Sequence, residues 1–131
     1  MARPLRYLAI LALWTAGAGA PAQESLEAGK DFFRAECIAC HAIGCNRSGP
    51  KLGGIIGRKA GGVPDFADYT EEIKRSGIVW SDETLDEYLK DPDAMVPGTM
   101  MALGGSIADP IARRNVIAYM KSGDTSLDLC F

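Results

Sequence analysis

Cys37-Ile38-Ala39-Cys40-His41 decides how the rest of this chain is read. Two thiols three residues apart lie within one helical turn of each other, and an imidazole follows the second at once. This C-x-x-C-H run is the signature of covalent haem attachment. The thiols add to the two haem vinyl groups as thioethers, and the histidine brings a ring nitrogen under the iron. Covalent linkage keeps the haem in a chain too small to hold it by burial alone. Three other readings compete. A zinc site would use Cys37, Cys40, His41 and Cys45, although zinc usually draws on two separated pairs. A redox dithiol expects a βαβ context, which the flanking sequence lacks. The third reading is coincidence.

The chain around the motif has 131 residues, enough for one domain. Arg3 and Arg6 precede an apolar run from Tyr7 to Trp14, and small residues follow from Ala16 to Ala22. That is the layout of a secretory leader, and Ala20-Pro21-Ala22 suits cleavage before Gln23. The expected domains are therefore a cleaved leader over 1–22 and a haem domain over 23–131. An uncleaved anchor is the alternative, with a rather short apolar run for a membrane span. Losing the leader leaves 12 basic against 17 acidic side chains, a net charge of −5. Such a charge argues against nucleic acid or an anionic membrane as partner. Export also implies an oxidising compartment, where the cysteines at 37, 40, 45 and 130 pair or carry a cofactor.

Helical signals dominate. Ser25 can cap a helix from Leu26 to about Ala39, with Gly29, Phe33 and Cys37 on one face. A short helix is expected from about Tyr69 to Ser76, ending at Gly77. Ser81 opens another with Asp82 and Glu83 in its first turn, and Asp91-Pro92 stops it. Asp109 caps the last helix, Pro110 takes its first position and Gly123 closes it. Ala112, Val116, Tyr119 and Met120 make its apolar stripe, and Arg113, Arg114 and Lys121 are assigned to its solvated side. Residues 42–66 and 92–106 are long Gly- and Pro-rich loops that cannot form a core alone. Helices plus such loops suggest a chain wrapped around a large apolar group, which a haem supplies.

His41 is the sole histidine, so a bis-histidine iron is excluded, and without a second C-x-x-C-H a second haem is not expected. The sixth ligand is then a methionine, a lysine, the chain terminus or nothing. Met95, Met100, Met101 and Met120 remain after leader removal. Met120 falls on the apolar stripe, whereas Met100 and Met101 sit in the turn-rich Pro97-Gly98-Thr99-Met100-Met101. His/Met ligation raises the haem potential.

Taken together these segments resemble the class I c-type cytochromes, mitochondrial cytochrome c and its bacterial periplasmic relatives. Gly29 and Phe33 match the first-helix pair that packs on the last helix, and Val116 and Tyr119 match the other side. Ser48-Gly49-Pro50-Lys51-Leu52 is similar to the loop whose proline carbonyl receives the second N–H of the ligand histidine. Gly57-Arg58-Lys59 resembles the segment with an arginine near a haem propionate, and Tyr69 and Trp80 match the aromatics that bond to propionate. Leu85-Asp86-Glu87-Tyr88-Leu89 resembles the helix whose tyrosine reaches the methionine sulfur. The family's spacing from tryptophan to ligand methionine selects Met101, 21 positions after Trp80.

The resemblance implies an all-α cytochrome c fold, about four helices and long loops around one covalent haem c. It implies a periplasmic, monomeric electron carrier rather than an enzyme. Its redox partners would be proteins such as a quinol–cytochrome c reductase, a terminal oxidase, a reaction centre or a periplasmic dehydrogenase, with no nucleic acid. The alternatives are a dedicated haem subunit of a periplasmic dehydrogenase and an open-site haem protein acting as peroxidase or gas binder. Three features depart from the family. Its lysines around the exposed haem edge correspond here to Asp93, Ala94 and Met100, which implies a less acidic, or even basic, partner surface. The loop after His41 is short and carries Cys45, and since the last helix of the resembled fold ends near that loop, a Cys45–Cys130 disulfide is implied. Closing about 85 residues is worth roughly 4–5 kcal/mol in the chain-entropy picture. One residue is inserted between Phe66 and Tyr69.

Overall fold

The structure, a computed structural model, describes residues 25–131. The leader expected over 1–22 lies outside them. No helix among the described residues is long and apolar enough to cross a membrane.

The Ser25 side chain accepts the Ala28 N–H and starts α1 (Leu26–Phe32). The helix does not continue to Ala39 in regular form. From Phe33 to Cys37 it widens into a π turn, with Ile38 N–H donating to the Phe33 carbonyl. Such turns often lie at functional sites. Gly29 and Phe33 therefore share a buried face while Cys37, displaced by the wider turn, is only half-buried.

After the long loop comes α2 (Glu71–Arg75), shorter than expected because the Thr70 side chain caps it by accepting the Ile73 N–H. An N-cap needs extended backbone, so Tyr69 falls outside the helix. Ser81 and Thr84 form a reciprocal capping box at the start of α3 (Asp82–Lys90), which ends at Asp91 as the sequence implies. The same Asp91 then caps a single turn, α4 (Pro92–Met95), with Pro92 at its first position. A 3₁₀ turn, Met100–Gly104, precedes α5 (Pro110–Ser122), which has Asp109 as N-cap and left-handed Gly123 after its end. Lys59 and Val79 form an isolated antiparallel bridge, and the described residues contain no longer strand.

α1 crosses α5 at close range. A Cβ on Gly29 would overlap the Asn115 carbonyl and stand 2.6 Å from its carbon. Beside the crossing, the Phe33 and Tyr119 rings meet with centroids 5.2 Å apart. Ser25 N–H donates to Asn115 Oδ1 at 3.0 Å, and Lys30 pairs with Asp124 at 2.9 Å. The Lys30 ammonium holds the Asp124 carboxyl at about 2, and Ser126 adds to the effect.

One expectation is overturned on α5. Arg113 is not on a solvated face; it is buried. Its Nε donates to Asp86 Oδ1 at 2.7 Å, and Nη1 donates to the Ile107 and Ala108 carbonyls at 2.7 and 3.0 Å. A desolvated guanidinium is tolerable when its donors are filled in this way. The contact ties α3 to α5 and to the chain entering α5. Arg114 is exposed, as expected, and Lys121 pairs with Asp82 at 2.7 Å.

Candidate haem site

The π turn ends at Cys37, and the next residues stay coiled: Cys40 N–H and His41 N–H both donate to the Cys37 carbonyl, at 3.1 and 2.9 Å. Cys37 is half-buried, Cys40 exposed, and both are free thiols. Burial is the main cause that pushes the Cys37 thiol up to about 12, with Glu36 and Cys40 adding to it. Arg47 donates to the Ile38 carbonyl and so clips the segment between the two cysteines.

His41 lies against Gly49. A Cβ there would stand 2.7 Å from Nδ1 and 2.9 Å from Nε2, so the ring needs a glycine beneath it. Nδ1 sits 2.8 Å from the Pro50 carbonyl. A carbonyl only accepts, so Nδ1 carries a proton, and in the neutral ring the lone pair is then on Nε2. Burial lowers the pKa of the ring, against the opposing effect of the Pro50 bond. The net lowering favours the neutral ring, the form that binds metal. The loop holding Pro50 is laced to the motif by Gly49 N–H to Cys40 O at 2.7 Å and Leu52 N–H to Ala42 O at 2.9 Å.

Across the fold, Thr99 opens the 3₁₀ turn that presents the candidate methionines. Met100 points outward, 63% exposed, while Met101 is half-buried and packed against the core. The sequence implied that Tyr88 reaches the methionine sulfur. Its hydroxyl pairs with Thr99 Oγ1 at 2.6 Å, and that oxygen accepts the Met101 N–H at 3.4 Å. Thr99 is a site residue that sequence reasoning missed, although a threonine beside a turn and before a methionine is a recognisable local cap.

Two of the residues expected at the propionates, Arg58 and Tyr69, also hydrogen-bond to the backbone. Arg58 donates to the Lys51 and Gly53 carbonyls at 2.7 and 3.1 Å. The Tyr69 hydroxyl accepts the Val63 N–H at 3.3 Å, and Trp80 is buried with its ring 5.0 Å from that of Tyr88. Cys45 and Cys130 are bonded, with Cα atoms 6.0 Å apart. That pairing removes Cys45 from the donors a zinc site would need.

Two free thiols one turn apart, an imidazole with Nδ1 tied to a carbonyl, and a half-buried methionine packed on the core fit a covalently held haem. These features define a small c-type haem protein of the electron-carrier class. Residues 26–124 match the family model described as Cytochrome c, and the chain belongs to the cytochrome c family. It is 50% identical over 96 residues to cytochrome c of Tetrahymena pyriformis, covering 72% of this chain and 85% of that one. It is 43% identical over 104 residues to cytochrome c2 of Afifella marina, covering 75% and 82%. Cytochrome cH from Methylobacterium extorquens superposes with a TM-score of 0.69 at 39% identity, covering 74% of this chain and 97% of that one. The family binds one covalently attached haem c, and its members carry electrons rather than act as enzymes.

Proposed function

We propose that this protein is an exported, soluble monohaem cytochrome that loses residues 1–22 and carries single electrons in the periplasm between redox proteins. The observation that carries the reading is His41, seated on Gly49 with Nδ1 bonded to the Pro50 carbonyl, directly after two free thiols. When bound, the haem supplies a one-electron ferric–ferrous couple. Cys37 and Cys40 would hold it through thioethers, and His41 Nε2 would bind its iron. The Pro50 carbonyl fixes the tautomer and makes the imidazole a stronger donor. Met101 would be the second residue to bind the iron, and its thioether would raise the potential. The Tyr88–Thr99 pair restrains the turn that aims it. Arg58, Tyr69 and Trp80 line the propionate side, and the Cys45–Cys130 disulfide closes the chain end onto the loop after His41. With His41 and Met101 both committed to the iron, no place for a substrate would remain on it.

The test is the absorption spectrum of the purified protein in both oxidation states, with its intact mass. A c-type pyridine haemochrome and one haem added to the mass of residues 23–131 are expected. A polypeptide of bare mass, matured by an intact periplasmic haem-ligation system, refutes the reading.

Charge shapes the partner. Residues 91–112 contain Asp91, Asp93 and Asp109 and no lysine or arginine. Within them the turn around Met101 exposes Met100 at 63% and Leu103 at 84%. An anionic border around an apolar tip suits a partner with a basic border, among donors such as a quinol–cytochrome c reductase or a periplasmic dehydrogenase and acceptors such as a terminal oxidase or a reaction centre. The expected kinetics have a definite sign. Added salt slows oxidation by the tris(phenanthroline)cobalt(III) cation and speeds oxidation by the ferricyanide anion. Stopped-flow rates showing the reverse dependence would count against this docking face.

A further inference from the structure

The family match stops at residue 124, and seven residues follow, Thr125 to Phe131. This tail does not run off into solvent. It turns back onto the loop that follows His41. Asp128 Oδ1 accepts the Ile43 N–H at 2.8 Å, and Oδ2 accepts the Gly44 N–H at 2.6 Å, so one carboxylate spans two consecutive amides. Asp128 N–H donates to the Thr125 carbonyl at 3.0 Å, closing the turn that aims the side chain. Leu127 packs half-buried against the core, and two residues beyond Asp128 the disulfide joins Cys130 to Cys45.

The backbone held by Asp128 is the backbone that seats the imidazole. The Ile43 carbonyl accepts Gly53 N–H at 2.8 Å, and the Ala42 carbonyl accepts Leu52 N–H at 2.9 Å. These bonds place the 50–53 segment, whose Pro50 carbonyl receives His41 Nδ1–H at 2.8 Å. Ile43 is buried at 2% exposure, so its N–H needs a protein partner, and Asp128 is that partner. Gly44 fits beneath the tail closely: a Cβ there would stand 3.0 Å from Asp128 Oδ2 and 3.2 Å from Thr125 Cγ2.

We propose that the tail beyond residue 124 is a clamp on the histidine loop and that Asp128 is a positioning residue, acting through Ile43 and Gly44 on the His41–Pro50 bond. The proposal rests on the reading of His41 as an iron ligand. The two tethers divide the work. The disulfide limits how far the tail can stray, while the carboxylate sets where the loop sits. A stiffer Nδ1–H···O=C bond makes the imidazole a stronger donor and favours the ferric state. Loss of the clamp therefore raises the reduction potential.

The test compares holoprotein of wild type, Asp128→Asn with the disulfide intact, and Cys45→Ser/Cys130→Ser with Asp128 intact. Asp128→Asn is expected to speed amide exchange at Ile43 and Gly44 by about tenfold or more, the worth of a charge-assisted hydrogen bond. It is also expected to speed exchange of the His41 Nδ1 proton and to move the potential upward. The double serine variant is expected to lose thermal stability while keeping wild-type exchange at these positions and a wild-type potential. Wild-type exchange and potential in Asp128→Asn overturn the proposal. So does a double serine variant that reproduces the full Asp128→Asn behaviour, because the disulfide alone would then be the clamp. If Asp128→Asn does not accumulate, Asp128→Glu is read by the same criteria. A wild-type protein with no c-type haemochrome sinks the ligand reading instead, which separates the two failures.

Discussion

Gly29→Ala is expected to destabilise the protein by about 2–3 kcal/mol, the upper range for forcing an extra methyl into a packed interface. Helix propensity alone predicts the opposite, since alanine exceeds glycine by about 1 kcal/mol in a helix interior. The steric term wins because of what the new methyl meets. It would overlap the Asn115 carbonyl of α5 and stand 3.1 Å from Tyr119 Cβ. A side chain can rotate away, but a helical carbonyl cannot, so α1 and α5 must separate along the whole crossing. Separation loosens the Phe33–Tyr119 ring contact, the Ser25–Asn115 bond and the Lys30–Asp124 pair together. At about 4–8 °C per kcal/mol for a domain of this size, the midpoint should fall by roughly 10–20 °C. Thermal unfolding of the holoprotein followed by circular dichroism measures it. An unchanged or raised midpoint would mean that the two helices do not cross at Gly29.

The same crossing shows what a sequence can and cannot reveal. Gly29 and Phe33 on one side and Val116 and Tyr119 on the other are legible through their resemblance to the family's pair of packed first and last helices. The caps at Ser25, Ser81 and Asp109 and the stop at Gly123 are legible for the same local reason: each satisfies backbone groups within three or four residues of itself. His41, Cys37 and Cys40 are legible because the chemistry of attachment is packed into five consecutive positions. Arg113 was not. Helical spacing sets it at the edge of the apolar stripe, three and seven positions before Val116 and Met120, but its charge argued for solvent, and only the fold brings Asp86 and the Ile107 and Ala108 carbonyls around it. Thr99 escaped notice because its partner Tyr88 lies eleven positions away. Asp128 escaped for a stronger version of the same reason, since its amide partners lie 84 and 85 positions distant. The π turn from Phe33 to Cys37 has no signature in residue type at all, because the pattern of apolar spacing is the same for a regular helix over so short a span.

Met101→Ala is expected to turn an electrically tuned but chemically closed site into an open one. In the wild type the side chain is half-buried and packed on the core, in a turn whose first N–H groups are gathered by Thr99. Removing the thioether leaves the position opposite His41 without a protein ligand, since no second histidine exists to replace it. The reduced variant should bind carbon monoxide rapidly, where the wild type binds it slowly or not at all. Its potential should fall by on the order of 0.1–0.3 V, a modest share of the ~0.8 V that axial ligands span. Met100→Ala supplies the matched control: same residue type, adjacent position, but a side chain that is 63% exposed. It should leave both carbon monoxide binding and potential close to wild type. Packing loss alone cannot mimic this contrast, because a core truncation of about 2 kcal/mol shifts stability without creating a ligand site. If the two variants exchange behaviours, the ligand is Met100 and the turn must rotate in the holoprotein. If neither binds carbon monoxide, the sixth ligand is not in this turn, and Lys or the chain terminus returns as the candidate.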